Sequence, residues 1–460
     1  MVFSNIFFIF RFLSLFLVIY YLVPYKYKNG IITIFSLVFY SWGEVKYFPI
    51  MILSTVVDFF CSQVIEKHRD SSKIKKASLA VSVVFNLGML LTFKYADFFI
   101  SNINSAFGTA IPLLNLTLPL GISFYTFQTM SYTIDVYRGD TKAENSIINF
   151  SAYVTMFPQL IAGPIVKYTD IREKLNTYEG RITLDEINEG IKIFIFGLGK
   201  KVLIANNVGA LWTDIETLGF ANVSTPLAWL GIVAYALQIY FDFSGYSLMA
   251  IGLGKMMGFD FPQNFNLPYI SKSITEFWRR WHMTLGSWFR EYVYIPLGGN
   301  RKGLKRQIFN MFVVWFLTGF WHGADWNFML WGLYYFVFLV IEKAFLLDKL
   351  NKSKVLSRIY TLLVVLVGWA LFYITDLGSL WAFLGKMFTI SGGVPATYFF
   401  KNYRISILIG ILCSTPLTTK FYDKFKDKNR VMIPVLLAIF VLSVAYLVDS
   451  TYNPFIYFRF

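Results

Sequence analysis

Long apolar runs alternate along the chain with short loops that carry most of the basic residues. Many of these runs approach or exceed the roughly 20 residues that an α-helix needs to cross a bilayer. Their apolar positions are continuous, whereas the strands of a membrane barrel alternate apolar and polar residues. The pattern predicts an all-α polytopic membrane protein with about ten transmembrane helices and two re-entrant hairpins. We expect residues 1–460 to form a single integral-membrane domain.

The basic loops orient the predicted helices, because loops rich in lysine and arginine stay in the cytoplasm. Residues 67–76 and 420–430 are such loops. The first apolar run lacks the basic start and the cleavage site of a signal peptide, so we expect it to be retained as a helix. Both termini then lie outside the cytoplasm. The predicted crossings are residues 5–23, 31–48, 50–65, 77–100, 118–138, 191–205, 227–251, 359–374, 405–417 and 432–448.

Composition supports the membrane assignment, since 56% of the residues are hydrophobic and only 15% are charged. A soluble domain has about 25% charged residues. The cytoplasmic loops explain the formal net charge of +15. A nucleic-acid interface would need exposed aromatic residues interleaved with a basic face, so we expect no nucleic-acid partner. Two cysteines in apolar runs and three histidines indicate neither a disulfide framework nor a metal site.

The most unusual apolar run, residues 308–341, contains His322 and Asp325. Basic residues flank the run on both sides, which places both flanks in the cytoplasm. The run is too short for two full crossings, so we predict two short helices that meet within the membrane near Gly319 and Gly323. Broken helices at membrane depth are tolerated only where protein or a water-filled cavity surrounds them. We therefore expect His322 to face a buried cavity.

An imidazole in such a cavity suits proton transfer, because the ordinary pKa of histidine lies near neutrality. His322 could act as a general base that takes a proton from a hydroxyl group, and burial would keep the ring neutral. It could equally belong to the proton relay of a transporter. Asp325 could orient the ring, or it could cap the following helix.

Other apolar runs also contain polar residues that need partners. Gln128, Ser131 and Tyr132 fall within one helical turn, where they could tie helices together or line a polar tunnel. Asp242 lies within a later apolar run, so it is a functional candidate or one half of a buried salt bridge. Residues 150–166 hold two prolines and a glycine, which predict the second re-entrant segment.

A segment ahead of the His322 hairpin has large apolar residues at helical spacing. They are Trp278, Trp281, Leu285 and Trp288. Arginines lie largely between them, so the pattern predicts one amphipathic helix at the membrane interface. His282 lies near the boundary between its aromatic and basic faces. Because only a short loop separates it from the hairpin, His282 is a candidate for the same cavity as His322.

Several stretches are similar, in order, to the motifs of a known family. They are residues 1–4, 121–138, 157–164, 240–246, 264–269, 277–299, 319–326 and 453–460. With these motifs the chain resembles the membrane-bound O-acyltransferase family, and within it the bacterial branch that O-acetylates alginate and peptidoglycan. The resemblance implies a ring of tilted helices around a central tunnel. It also implies that His322 is the essential histidine and that His282 is a second, more variable catalytic position.

The same motifs contain the residues that we expect to line the tunnel or to bind substrate. These are Gln128, Ser131, Tyr132, Gln159, Tyr240, Asp242, Ser244, Asn264, Trp321 and Asp325.

The resemblance implies an acyltransferase of the bacterial inner membrane that needs no bound cofactor or metal. Its donor would be a cytoplasmic thioester, with acetyl-CoA expected, and its final acceptor an exported or cell-wall polysaccharide. An extracytoplasmic protein of the SGNH-hydrolase type would be its partner, and membrane lipid would surround it. The alternatives are D-alanyl transfer to teichoic acid from a charged carrier protein, and a transporter or flippase with His322 in a proton relay.

Overall fold

The computed structural model of the chain describes residues 2–177, 182–449 and 456. Within this part the secondary structure is helical, apart from an isolated bridge between Val223 and Val394. The all-α prediction is therefore confirmed. Of the C-terminal motif at residues 453–460, only Ile456 belongs to the described part.

The helices of the described part are numbered here in chain order, and several contain a short π-helical turn. They are α1 (Phe8–Leu22), α2 (Lys28–Ser41), α3 (Phe48–Lys67), α4 (Ser72–Phe107), α5 (Ile122–Arg138), α6 (Ile147–Thr155), α7 (Phe157–Leu160), α8 (Tyr168–Asn176), α9 (Leu184–Leu218), α10 (Thr225–Met256), α11 (Ile274–Arg280), α12 (Met283–Phe289), α13 (Gly303–His322), α14 (Trp326–Leu350), α15 (Lys354–Tyr373), α16 (Leu377–Phe388), α17 (Thr397–Cys413), α18 (Pro416–Phe425) and α19 (Asn429–Asp449).

Seven of the described helices are long and apolar enough to cross a membrane, or eight if α17 and α18, bent by 67°, count as one span. The sequence predicted about ten crossings. Part of the difference comes from α1, α2 and α5, which are shorter than the roughly 20 residues of a full crossing. For α2 the reason is local. It ends at Ser41, and residues 42–47, which the prediction gave to this crossing, form turns ahead of α3. Helix α3 then begins at Phe48, with Pro49 in its first turn.

The burial of the candidate spans shows which of them form the core. In α10, 83% of the apolar window is buried, whereas in α4 and in α19 only 17% is buried. Large apolar side chains that remain exposed along a whole helix require an apolar solvent, which is the hydrocarbon of a bilayer. The protein is therefore a multi-pass membrane protein with α10 in its core.

By their internal contacts the described residues form two compact units. The first comprises Met1–Phe194 and Met249–Pro262, and the second comprises Ile195–Leu248 and Gln263–Phe460.

A buried carboxylate ties three helices of the first unit together. Asp58 of α3 accepts hydrogen bonds from Ser82 Oγ at 2.5 Å and from Asn86 Nδ2 at 2.8 Å, both on α4. Thr129 of α5 donates to the side-chain oxygen of Asn86 at 3.3 Å. A buried polar group is costly unless it is bonded, so this network fixes the packing of α3, α4 and α5.

The predicted break within residues 150–166 is confirmed. Helix α6 ends at Thr155, and Met156 has an extended backbone with φ −48° and ψ 110°. Helix α7 then begins with Pro158 in its first turn and lasts only four residues. After it, the chain turns so tightly at Gly163 that an added Cβ would lie 2.6 Å from the Pro158 carbonyl oxygen.

In the second unit, α13 and α14 form the hairpin that the sequence predicted. Residues 323–325 connect the two helices, and Gly323 directly follows the last residue of α13. They approach each other closely, since an added Cβ would lie 2.4 Å from the Phe328 carbonyl oxygen at Gly319, and 2.4 Å from the Trp315 carbonyl oxygen at Gly332. The two short helices that were expected are both longer in the structure, since α13 has 20 residues and α14 has 25.

The prediction of one amphipathic helix through Trp281 and His282 is wrong. Helix α11 ends at Arg280, His282 has a left-handed backbone with φ 44°, and α12 begins at Met283. The backbone on both sides of the break bonds to an extended segment instead, because Asn266 N donates to the Arg280 oxygen and Met283 N to the Asn264 oxygen, each at 2.9 Å. The large apolar residues at and after the break are buried in the protein: Trp281, Leu285 and Trp288.

We expect Gly332→Ala to lower the free energy of unfolding by about 1–3 kcal/mol, because the new methyl group would collide with the α13 backbone. Gly385→Ala is the matched control. Its Cβ would meet nothing within 4 Å, so the better helix propensity of alanine should raise stability by up to about 1 kcal/mol. Thermal unfolding of the detergent-purified protein measures both changes. Equal stability of the two variants would contradict the close helix contact.

Candidate functional site

His322 is the last residue of α13 and lies at the turn of the hairpin, with only 6% of its surface exposed. Its ring packs edge-to-face against Trp331 of α14, with ring centroids 5.0 Å apart. It packs in the same way against Phe372 of α15, at 5.2 Å. The next residue, Gly323, has no room for a side chain, because an added Cβ would lie 2.1 Å from the Phe328 ring. The imidazole is thus held in an aromatic pocket.

Helices α14 and α15 are tied together beside this pocket. The Asn327 side-chain amide donates to the carbonyl oxygens of Leu371 at 3.2 Å and Phe372 at 3.0 Å. Further along, an added Cβ at Gly368 would lie 2.2 Å from the Tyr335 hydroxyl oxygen, so α15 needs a glycine there. These contacts fix the two aromatic walls that face His322.

A hydrogen-bond network sets the orientation of His282. The Thr284 backbone N–H, which can only donate, bonds to the Asn264 side-chain oxygen at 3.3 Å, and the Asn264 amide nitrogen donates to Ser247 Oγ at 3.0 Å. The same Asn264 oxygen lies 3.1 Å from His282 Nδ1 and accepts its proton. In the neutral ring, Nε2 is therefore the proton acceptor. Burial lowers the pKa of His282 from 6.5 to about 3, so the ring is neutral at physiological pH.

Trp321 contacts both histidines. Its ring centroid lies 4.9 Å from that of His322 and 6.2 Å from that of His282, each in an edge-to-face arrangement. Tyr240 of α10 lies in the same aromatic cluster, 6.2 Å from Trp281. Thus five residues that the sequence singled out come together from α10, α13 and the segments around α11: Tyr240, Asn264, His282, Trp321 and His322.

Asp325 caps α14, and its carboxylate accepts a hydrogen bond from the Trp326 backbone N–H at 2.7 Å. The structure therefore shows the capping role, which was one of the two roles considered from the sequence. Ser244 of α10 is buried, and its hydroxyl has no hydrogen-bond partner among the described residues.

Asp242 of α10 forms a buried salt bridge with Lys201 of α9, at 2.5 Å between Oδ1 and Nζ. Its other oxygen accepts the Ile456 backbone N–H at 2.9 Å, and Lys201 also donates to Asn206 at 2.9 Å. The salt bridge that the sequence left as one alternative is therefore present. Together these contacts tie α9 and α10 to each other and to Ile456.

Four of the predicted residues lie in the first unit, and three of them bond to nearby backbone. Tyr132 accepts from the Glu144 N–H at 2.8 Å, Ser131 donates to the Gln128 carbonyl oxygen at 2.8 Å, and Gln159 donates to the Tyr153 carbonyl oxygen at 2.6 Å. The Gln128 side chain differs, since both of its polar atoms are buried with no hydrogen-bond partner in the described part of the chain.

Lys201, Asn327, Trp331 and Phe372 shape the second unit, and the sequence analysis did not predict them. A signal existed for Lys201, because a lysine within an apolar run needs a buried partner. The two aromatic residues carried no signal, since aromatic residues make up 20% of the chain. Among the described residues, no group of three histidine, cysteine, aspartate or glutamate side chains could hold a metal ion.

Comparison with known proteins gives a consistent match. The sequence profile of the membrane-bound O-acyltransferase family matches residues 141–383. A probable alginate O-acetylase of Pseudomonas putida is 38% identical, and the alignment covers all of both chains. A peptidoglycan O-acetyltransferase of Helicobacter pylori is 33% identical over 85% of this chain and 80% of the relative. A teichoic acid D-alanyltransferase of Streptococcus thermophilus is 30% identical over 51% of this chain and 60% of the relative.

We expect Asp242→Asn to lower the free energy of unfolding by about 3–5 kcal/mol, because it leaves the Lys201 charge buried without its counter-ion. The double variant Lys201→Met/Asp242→Leu should regain most of this loss, since it leaves no buried charge. Thermal unfolding in detergent measures both. If Asp242→Asn were as stable as the wild type but inactive, Asp242 would act on substrate rather than in the salt bridge.

We expect His282 to make the protein less stable in acid. Its pKa falls from 6.5 in the unfolded chain to about 3 in the folded protein, so below pH 6.5 the unfolded state binds a proton that the folded state does not. Stability should then fall by up to about 1.4 kcal/mol for each pH unit. Melting temperatures at pH 7.5 and pH 5 should therefore differ more in the wild type than in His282→Gln. Equal differences would show that His282 is not held neutral.

Proposed function

Because the chain belongs to the membrane-bound O-acyltransferase family, we propose that it transfers an acetyl group from acetyl-CoA towards an exported or cell-wall polysaccharide, with His322 as the general base. O-acyltransferase activity follows from the family itself. The acetyl group is supported by the relatives that are named for O-acetylation of alginate and of peptidoglycan. Both relatives also act on polysaccharides, which supports that class of final acceptor.

The observation that carries the role of His322 is its position. The ring lies at the turn of the hairpin, between the aromatic walls of Trp331 and Phe372. Apolar walls disfavour a charged ring and so favour the neutral imidazole, the form that can accept a proton. A side chain held by packing on two helices is also oriented for one reaction geometry, as general base catalysis requires.

The reaction balances with His322 as the only proton carrier. The imidazole takes the proton of the acceptor hydroxyl while the hydroxyl oxygen attacks the carbonyl carbon of the thioester. The carbonyl π electrons move onto oxygen and give a tetrahedral oxyanion. When the carbonyl forms again, the carbon–sulfur bond breaks, and the thiolate takes the proton from the imidazolium. The products are an acetate ester and a free thiol, and the histidine is neutral again.

The proposal includes the route across the membrane. The donor binds from the cytoplasm, and the acceptor hydroxyl comes from the other side of the bacterial inner membrane. The basic loops at residues 67–76 and 420–430 support an orientation with both termini outside the cytoplasm. The immediate acceptor is a serine of an extracytoplasmic SGNH-hydrolase-type protein, which passes the acetyl group to the polysaccharide.

Two alternatives have less support. D-alanyl transfer to teichoic acid is the activity named for a relative, but that match covers 51% of this chain, against 100% and 85% for the O-acetyltransferases. A transporter or flippase with His322 in a proton relay does not fit a chain that belongs to an acyltransferase family.

We expect membranes that contain the wild-type chain to move labelled acetyl from acetyl-CoA to the partner protein or the polysaccharide. His322→Ala should abolish this transfer without loss of the folded protein, because no base remains to take the hydroxyl proton. His68→Ala is the matched control, since His68 directly follows α3 in the first unit and its ring bonds to the Val64 carbonyl oxygen of that helix. The control should keep wild-type activity.

Label transfer that survives His322→Ala would show that another group is the base. Label transfer from a D-alanyl carrier protein, with none from acetyl-CoA, would favour the teichoic acid alternative instead.

A further inference from the structure

The indole of Trp331 carries a buried donor that the folded protein does not use. The side chain is 1% exposed, and its Nε1 has no hydrogen-bond partner among the described residues. Other indoles of the chain are bonded: Trp369 Nε1 donates to the Tyr269 hydroxyl at 3.1 Å, and Trp229 Nε1 donates to the Met387 carbonyl oxygen at 2.7 Å.

An unused buried N–H lowers stability, because the group gave up its bonds to water and gained none in return. A phenylalanine at this position would keep most of the aromatic packing without that cost. Packing alone therefore does not explain the presence of the indole nitrogen. The unused N–H indicates that its hydrogen-bond acceptor belongs to a bound ligand.

The position of Trp331 indicates which ligand atom accepts this hydrogen bond. Three described tryptophans have a buried, unpartnered Nε1: Trp212, Trp278 and Trp331. Of these, Trp331 alone packs against a histidine, with its ring 5.0 Å from that of His322 and nearly perpendicular to it, at 82°. The Trp331 ring therefore lies beside the proposed general base, in the region where the reacting carbonyl is expected.

We propose that Trp331 donates a hydrogen bond from Nε1 to the carbonyl oxygen of the donor thioester. The inference rests on the proposed function, since it assigns a role within that reaction. When the hydroxyl attacks, the carbonyl π electrons move onto this oxygen, and the bond to Nε1 strengthens as the charge develops. When the carbon–sulfur bond breaks, the electrons return to the carbonyl and the bond weakens. The indole keeps its proton throughout, and His322 alone transfers one.

The surrounding rings hold this donor in place. Trp331 packs edge-to-face on Tyr335 at 5.3 Å and on Trp278 at 5.4 Å, and it contacts Phe372 at 5.2 Å. A donor that is fixed before the charge develops needs no reorganisation during the reaction, and such fixed donors give the largest rate gains in acyl transfer.

The test compares Trp331→Phe with Trp212→Phe in the full-length protein. Both variants remove a buried, unpartnered indole N–H and keep an aromatic ring, but the Trp212 ring has no contact with either site histidine. Trp331→Phe should lower kcat for acetyl transfer on the order of 100-fold, the loss typical of one oxyanion donor. Its melting temperature should be no lower than that of Trp212→Phe, because both variants lose the same volume from a fully buried site. Trp212→Phe should keep the wild-type kcat.

A binding measurement separates contact with the carbonyl from a structural effect. The probes are the ketone analogue of acetyl-CoA, in which methylene replaces sulfur, and S-ethyl-CoA, which lacks the carbonyl. Wild type should bind the ketone more tightly than S-ethyl-CoA, and Trp331→Phe should reduce this preference while binding S-ethyl-CoA as the wild type does.

Three results would overturn the assignment of Trp331. They are an unchanged kcat, a loss of kcat in a variant whose melting temperature is clearly below that of Trp212→Phe, and an unchanged preference for the ketone. A wild type that is inactive with acetyl-CoA would instead overturn the proposed function, and with it the role of Trp331 in that reaction. An active wild type with an unaffected Trp331→Phe would overturn the Trp331 assignment alone.

Discussion

The close approach of α13 and α14 is the constraint on which the site depends. Two glycines, Gly319 and Gly332, let the helix backbones come so near that neither position has room for a methyl group. The chain can then turn within residues 323–325 and place His322 against Trp331 of the returning helix. Wider separation of the two helices would leave the imidazole without this wall. The two glycines therefore affect the site only by setting the distance between the α13 and α14 backbones.

Burial of polar groups in an apolar body makes every such group depend on a specific partner. Asp242 has Lys201 and the Ile456 backbone, and Asp58 has Ser82 and Asn86. These bonds join consecutive helices, and one of them joins α10 to Ile456, so they fix how the helices pack rather than adding much net stability. Groups that lack such partners among the described residues, such as Ser244 and Trp331 Nε1, mark places where the fold itself does not account for the residue.

Local sequence signals gave the helical class, the hairpin and the position of His322 at its turn. A histidine, an aspartate and two glycines stand out inside an apolar run, and Asp325 beside a helix start is recognisable as a cap. The break at His282 could not be predicted in this way, because apolar spacing continues through it and the cause lies in Asn264, on another segment. The pairing of Asp242 with Lys201 could not be predicted either. Each residue showed from its apolar run that it needs a buried partner, but the two lie on different helices and nothing in the sequence joins them. The aromatic walls, Trp331 and Phe372, could not be recognised either, because 20% of the residues are aromatic and most of them serve only packing.

His282 and His322 have different surroundings, and these suit them to different roles in the proposed reaction. Asn264 holds His282 Nδ1 as a donor, and burial lowers the pKa of His282 to about 3. His282 is therefore suited to accepting a hydrogen bond at Nε2 and orienting a hydroxyl. Under the proposed reaction this leaves the transfer of the proton to His322, with Trp321 in contact with both rings.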